Sequence, residues 1–266
     1  MKERLDVLLV QQGFFETRER AKRAIMAGVV IVDNKKIEKA GTTIKWNDEL
    51  PEIRIKGEVL KYVSRGGLKL EKAIKVWKLD LLGKKILDVG ASTGGFTDCA
   101  LQNGAIFAYS MDVGTNQLDW KLRNHDQVRS IEGTHIKDLT LENIDNSEID
   151  FIVMDVSFIS ITKVIPHLIK FMNKNTKLMA LIKPQFEVGR ENIEKGGIVK
   201  DPKKHKMAIE MVVESAAEYK MKLDQLDFSP ITGGKGNIEY ISLFSLSEDK
   251  NVVDIDKVVE ESKKLR

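Results

Sequence analysis

The stretch Lys85-Ile86-Leu87-Asp88-Val89-Gly90-Ala91-Ser92-Thr93-Gly94-Gly95-Phe96-Thr97-Asp98 constrains this chain more than any other. Ile86, Leu87 and Val89 read as a buried parallel strand; Gly90, Gly94 and Gly95 then let the backbone turn sharply and bring a ligand against the start of a helix. A second apolar run closes on Tyr109-Ser110-Met111-Asp112, which puts a carboxylate 22 residues after Gly90. A doubly wound fold positions there the acid that takes ribose hydroxyls. Dinucleotide loops read G-x-G-x-x-G so that the backbone can approach a pyrophosphate, and here the second glycine is missing. S-adenosylmethionine, which has ribose and adenine but no phosphate, suits this spacing. Asp88, Gly90, Ala91, Ser92, Thr93, Gly94, Gly95, Phe96 and Asp112 are the residues expected to hold it, with Asp155 from a later strand.

The chain has 266 residues, 42% of them hydrophobic, enough for one large domain and a small one with a full core. A single cysteine, Cys99, excludes an internal disulfide framework. His125, His135, His167 and His205 show no paired metal spacing, so no metal is expected. The first residues, Met1-Lys2-Glu3-Arg4-Leu5-Asp6, carry acids where a signal peptide would be apolar, and no apolar run is long enough to span a membrane. A cytoplasmic monomer without a membrane partner is the expectation. Net charge is only +3, but between Lys61 and Lys85 eight bases face two acids, a local excess of +6 in 25 residues. Such a stretch is either a solvated face or an electrostatic footprint for nucleic acid.

The first sixty residues read as two short helices and a few strands. Leu5, Leu8, Leu9 and Val10 give an amphipathic helix closed by Gly13. Thr17 caps a second helix, Arg18 to Ala27, which buries Ala21, Ala24 and Ile25 and exposes Arg18, Arg20, Lys22 and Arg23. Val29 to Val32, the Asp33-Asn34 turn and Thr42 to Trp46 add strands. Leu50 to Val63, with Pro51 and Gly57, reads as a linker. Beyond it, a helix with Leu70, Ala73, Ile74 and Trp77 on one face places Lys69 in its first turn, where a cation opposes the helix dipole. Strands at 106–112, 128–131, 150–156, 177–184, 223–228 and 238–246 then alternate with helices. The last two are joined through Pro230 to Gly236 without a helix. The expected fold is α/β: a Rossmann-like methyltransferase sheet, mostly parallel with one antiparallel edge strand and helices on both faces, preceded by a small α+β domain. Boundaries are expected at 1–60, 61–246 and 247–266, the last a helical tail. Gly189 to Gly197 is expected to be a mobile loop over the site.

Three of these strand ends carry a charged residue among apolar neighbours: Asp155 after Ile152-Val153-Met154, Lys183 after Leu181-Ile182, and Glu239 after Asn237-Ile238. Ligands of open α/β sheets lie at the carboxyl ends of the strands, so these side chains are expected to converge. A lysine closing a buried strand either snorkels to the rim or serves chemistry.

Two resemblances follow from these residues. Arg4-Leu5-Asp6, Thr17-Arg18-Glu19-Arg20-Ala21, Ile25-x-x-Gly28 and Val30-x-Val32-Asp33 resemble the RNA-binding module named after ribosomal protein S-four, over residues 3 to 50. Lys69, Asp155, Lys183 and Glu239 match in order and context the catalytic Lys-Asp-Lys-Glu tetrad of the FtsJ-like ribose 2′-O-methyltransferases. With Ser64-Arg65-Gly66-Gly67-x-Lys69-Leu70, Asp155-Val156-Ser157-Phe158-Ile159-Ser160, Lys183-Pro184-Gln185-Phe186-Glu187 and Gly236-Asn237-x-Glu239, the chain resembles the TlyA/hemolysin A family from about residue 3 to 246. The resemblance implies 2′-O-methylation of cytidine in ribosomal RNA from S-adenosylmethionine, with Lys183 as general base. RNA contacts are expected from Arg4, Arg18, Arg20, Lys22, Arg23, Arg65 and Lys72. His135 departs from the asparagine expected in Gly133-Thr134-His135-Ile136.

The chemistry is consistent with the residues. A ribose hydroxyl is a weak nucleophile, and an ordinary lysine, with a pKa near ~10.4, is charged and accepts no proton. Burial and a second lysine, Lys69, are two ways to depress the pKa of such an amine. Competing readings fare worse. Methylation of a base amine calls for a proline-rich motif that Asp155-Val156-Ser157-Phe158 lacks. A pyrimidine C5 reaction needs a cysteine, and Cys99 reads as core. A membrane-active protein would need segments the sequence does not show, while a non-catalytic ribosome-binding protein differs only in transferring no methyl group.

Overall fold

The computed structural model covers the whole chain and describes all residues except 16, 48, 57–60, 248, 250–252 and 266. It divides into two compact units, Met1–Lys61 and Tyr62–Arg266.

The first unit runs β1 (Lys2–Arg4), α1 (Leu5–Gln11), α2 (Arg18–Met26), β2 (Val30–Val32), β3 (Lys35–Ile37), β4 (Thr43–Lys45) and β5 (Ile53–Ile55). Leu5 and Leu9 of α1 meet Ala21, Ala24 and Ile25 of α2 and Val30 and Val32 of β2 in one small core. Thr17 caps α2, its hydroxyl accepting the Arg20 N–H at 3.3 Å. Asp33 and Asn34 take φ of 47° and 63°, the left-handed pair that a two-residue hairpin between β2 and β3 requires. The stretch expected as a linker begins with structure instead: β5 pairs antiparallel with β2, Val30 opposite Ile55. Ile53-Arg54-Ile55 alternates as a strand should, but three residues between Pro51 and Gly57 are too few to read by pattern. Residues 57–60 of that stretch lie outside the described residues.

The second unit contains α3 (Gly67–Trp77), β6 (Lys85–Val89), α4 (Gly95–Gln102), β7 (Phe107–Met111), α5 (Trp120–Arg123), β8 (Val128–Ile131), β9 (Phe151–Met154), α6 (Ile165–Leu168), β10 (Lys177–Ile182), α7 (Pro184–Glu187), α8 (Pro202–Ala217), β11 (Met221–Phe228), β12 (Tyr240–Leu246) and α9 (Ile255–Ser262). Its seven strands lie in the order β11-β12-β10-β9-β6-β7-β8. The five from β8 to β10 are parallel, and β12 is antiparallel to both β10 and β11. The antiparallel strand expected at the edge is therefore β12, one place in, with β11 outermost. With no helix between them, β11 and β12 fold back on each other.

Central strands are buried on both faces, which is why they read as unbroken apolar runs. Ile86, Val153, Met179 and Leu181 face Leu70 and Ala73 of α3 and Phe96 and Cys99 of α4. Their neighbours Leu87, Ile152, Leu178 and Ala180 face Leu168 of α6, Ile209 and Val212 of α8 and Val259 of α9. The sheet reverses its winding at β6, with β7 on one side and β9 on the other, so the ligand crevice falls at the carboxyl ends of β6 and β9. No helix among the described residues is long and apolar enough to cross a membrane.

Candidate active site

The chain turns off β6 at Gly90, whose φ is 82°. A Cβ there would stand 3.1 Å from Val156 Cγ1 and 3.2 Å from the Asp155 carbonyl oxygen, so glycine lets the ends of β6 and β9 close up. Gly94, at φ 93°, opens α4, and a side chain on it would strike Leu122 Cδ1 at 2.3 Å. Asp112 ties the loops together: its Oδ2 accepts the Ser92 N–H and its Oδ1 the Gly114 N–H, both at 2.8 Å. Each oxygen keeps a second lone pair. A cavity of about 390 Å³ opens beside these groups, lined by Gly90, Ser92, Asp112, His135, Asp155 and Ser157, with Val89, Met111, Val113 and Ile136 as apolar wall. His135 Nδ1 accepts the Lys137 N–H at 3.2 Å, the capping bond that an asparagine oxygen would make.

Asp88 is buried beneath the loop, its Oδ2 accepting the Thr97 N–H at 3.1 Å and the Thr97 hydroxyl at 2.7 Å. Burial pushes its carboxyl up to about 7, against the pull of those two donors. An acid raised in the folded state disfavours folding once the unfolded chain ionises. Its contribution is therefore neutral below about pH 4, costs stability increasingly as pH rises to about 7, and is constant above. The side-chain carboxyl carbon of Asp88 should titrate by NMR with a midpoint near 7; a midpoint near 4 would contradict the burial argument.

The four expected catalytic residues come together. Lys69 donates to Asp155 Oδ2 at 2.9 Å and to Glu239 Oε2 at 2.7 Å. Lys183 Nζ lies 2.6 Å from Asp155 Oδ1 and donates to Ser157 Oγ at 2.9 Å. Lys69, Lys183 and Glu239 are 7, 5 and 3% exposed. The four charges cancel. Burial lowers the Lys69 pKa, but Asp155 and Glu239 outweigh it and hold the ammonium above its usual range. Burial likewise raises Asp155, and Lys69 and Lys183 outweigh that to bring it below the ordinary carboxylate value. The sequence suggests the lysines as a like-charged pair; the structure instead stands Asp155 between them, so Lys69 is a firm cation. Its costly place in the first turn of α3 is offset by the two carboxylates.

A second cavity, about 320 Å³, adjoins the first, sharing Ser157 and Phe158 with it and adding Gln185, Phe186, Asn237 and Glu239. The tetrad thus reaches one cavity through Asp155 and the other through Glu239. Phe158 is 92% exposed, sits at φ 65°, and tilts against Phe186 with ring centroids 5.3 Å apart. A bulky residue at positive φ is strained, and such strain gathers at functional sites. Glu187 holds that loop from beneath, accepting the Ser160 hydroxyl at 2.5 Å and the Ile161 N–H at 3.1 Å, while burial moves its own carboxyl pKa up.

Residues 62–246 match the family model for the FtsJ-like methyltransferase, and residues 3–50 match the S4 domain. The chain belongs to the FtsJ-like methyltransferase family. It is 49% identical to YqxC of Bacillus subtilis (strain 168), over 90% of this chain and 84% of that protein. It is 35% identical to the 16S/23S rRNA (cytidine-2′-O)-methyltransferase TlyA of Mycobacterium tuberculosis (strain ATCC 25618 / H37Rv), over 93% of this chain and 91% of that one. A solved structure of a hemolysin-named protein from Streptococcus thermophilus superposes with TM-score 0.77 at 45% identity, covering 99% of this chain and 96% of that one.

Within this FtsJ-like chain the expected RNA contacts separate. In the first unit Arg4 forks onto both oxygens of buried Asp6, at 2.9 and 3.2 Å, and Arg18 donates to Oδ2 at 3.0 Å. The Arg4 hydrogen bond, with that of Arg18 and against the opposing effect of burial, draws the Asp6 pKa down to about 2. Both guanidiniums are about half exposed and keep further donors. Lys22 pairs with Glu19 at 2.6 Å, Arg20 and Arg23 are half-buried, and in the second unit Arg65 is exposed. Lys72 is held within the second unit. Its ammonium donates to the Phe228 carbonyl at 2.6 Å, lies 2.9 Å from Asp227 Oδ1 and covers the Phe228 ring at 3.7 Å, holding α3 to the end of β11.

Sequence reading missed Gly233, where a Cβ would meet Glu239 Oε1 at 2.5 Å and the carboxylate that holds Lys69 would have to shift. It also missed Ser157, Glu187 and the bracketing amide of Asn237. Their place in short strings beside tetrad members was the one available signal. The stretch expected to be a mobile loop is tied down: Glu194 and Ile198 form a β-bridge, and buried Asn237 holds the backbone at Gly197 and Val199.

Proposed function

We propose that this chain transfers a methyl group from S-adenosylmethionine to the 2′-oxygen of a cytidine ribose in ribosomal RNA, with Lys183 as general base. The observation that carries the reading is the neutral chain Glu239-Lys69-Asp155-Lys183, which spans two adjoining cavities. The larger fits the cofactor: Asp112 retains lone pairs for two ribose hydroxyls, Gly90 lines the cavity beside it, the apolar wall suits a flat adenine, and the volume falls within the ~300–1,000 Å³ of small-molecule sites. The bound cofactor supplies an activated methyl group. The smaller cavity, between Phe158, Phe186 and Glu239, then takes the acceptor nucleoside, its base against the phenylalanines. The Lys183 ammonium first gives a proton to solvent; Asp155 and Ser157 then orient its amine, while Lys69, pinned by two carboxylates, keeps the array rigid. Holding the hydroxyl against the amine and in line with the methyl group supplies much of the acceleration. The first unit contributes phosphate and shape contacts through Arg4, Arg18, Arg20, Lys22 and Arg23, with Arg65 of the second unit, and anchors ribosomal RNA without reading its bases. Work on ribosomal RNA places the protein in the cytoplasm. The TlyA name of the Mycobacterium tuberculosis relative supports the choice of cytidine ribose.

The test is an RNA substrate with a single 2′-deoxy nucleotide at the modified position. It is expected to bind as the unmodified RNA does and to accept no methyl group. Methylation of the deoxy substrate would put the acceptor on a base atom and end the ribose reading.

A further inference from the structure

Buried Asn237, two residues before Glu239, spends its amide on the backbone across from it: Oδ1 accepts the Val199 N–H at 3.0 Å and Nδ2 donates to the Gly197 carbonyl at 2.8 Å. The same Val199 is gripped on its other side, since its carbonyl oxygen lies 2.8 Å from Nε2 of buried His205 in α8. His205 Nδ1 in turn sits 2.8 Å from the Tyr240 hydroxyl, one residue beyond Glu239. The backbone of one residue is thus held by two buried polar side chains, its N–H by Asn237 and its carbonyl by His205, and both are tied to the start of β12. The bracketed backbone continues into Gly197 and Ile193, which line the smaller cavity together with Phe158 and Phe186. Ile193 also packs with Val199 and Ala208, which seats the segment on α8.

We infer that Asn237 is a positioning residue for the acceptor RNA: it sets the 193–199 segment as the fixed far wall of the acceptor cavity, in register with Glu239. The inference rests on the reading of that cavity as the acceptor site. A wall touches the substrate in the ground state and the transition state alike, so its loss falls on KM rather than kcat. Asn237 borders that cavity, but its amide oxygen and nitrogen are spent on Val199 and Gly197, so its effect passes through the backbone it holds.

Steady-state methylation of ribosomal RNA by the full chain tests this. Asn237→Ala is expected to raise KM for RNA about tenfold, in line with one displaced wall contact, with kcat within about twofold and calorimetric cofactor affinity unchanged. Amide exchange at Val199 should quicken while the amides of β9 exchange as before. Asn237→Asp, which keeps an oxygen for the Val199 N–H but loses the donor to Gly197, should fall between wild type and alanine; it carries the test if the alanine variant does not fold. A merely structural role predicts the opposite split, a reduced active fraction with lower kcat and unchanged KM, and that result overturns the inference, as does unchanged exchange at Val199. Wild-type protein that transfers no methyl group would instead remove the activity reading.

Discussion

Lys183→Ala is expected to lower methyl transfer by about 10²–10⁴-fold, the usual weight of a positioned general base, while cofactor and RNA affinities stay within a few-fold of wild type. The geometry gives the reason. A protonated amine has three hydrogens, and Asp155 and Ser157 account for two of the directions around Lys183 Nζ. The third is where, in the proposed mechanism, the amine offers its lone pair to the ribose hydroxyl once the ammonium has given a proton to solvent. Lys183→Arg should fail nearly as badly, because a guanidinium does not deprotonate and its planar fork does not fit a site shaped for a tetrahedral amine. Single-turnover methylation with saturating cofactor measures the chemical step directly. Wild-type turnover in Lys183→Ala would refute the base assignment and leave the fold and the cofactor site untouched.

Much of the second unit was legible in the sequence because burial on both faces leaves an unmistakable record. Ile86-Leu87 and Leu178 to Ile182 have no polar face to hide, and the glycines after β6 mark the one turn where strand ends must touch. The tetrad was legible for a related reason: a charged residue ending an apolar strand is costly unless it meets a partner. What the sequence could not show was who meets whom. Lys69 and Lys183 suggested a like-charged pair, and only the fold places Asp155 between them. Lys72 looks like any surface base until Phe228 and Asp227 are found beneath it. β5 was hidden by its length. Gly233 and Asn237 were hidden because their function is to leave space for, or hold, backbone from far along the chain, which no local pattern records.

Asp155→Ala should be the most destabilising substitution in the tetrad. Asp155 is bonded to Lys69 at 2.9 Å and paired with Lys183 at 2.6 Å, whereas among the described residues each lysine has one further acceptor, Glu239 and Ser157 respectively. Removing the shared carboxylate leaves two cations in a region from which water is largely excluded; removing Lys183 leaves Asp155 still paired with Lys69. Breaking a buried ion pair costs about 3–5 kcal/mol, and the lower end applies because the Asp155 side chain is 19% exposed. In a domain of this size that corresponds to a fall in Tm of roughly 6–12 °C, measurable by calorimetry at pH 7. The pH dependence has a definite sign. The folded carboxyl lies below its ordinary value, so its stabilisation is complete above about pH 4 and is lost as pH falls through the folded value. The gap between wild type and Asp155→Ala should therefore stay constant from neutral pH down to about 4 and narrow below it. Asp155→Asn, which preserves shape without charge, should lose nearly as much as alanine if the charge is what counts. Equal melting temperatures for wild type and Asp155→Ala would mean that the lysines reach solvent unaided, and the tetrad would then be a set of rim charges rather than a buried, mutually dependent array.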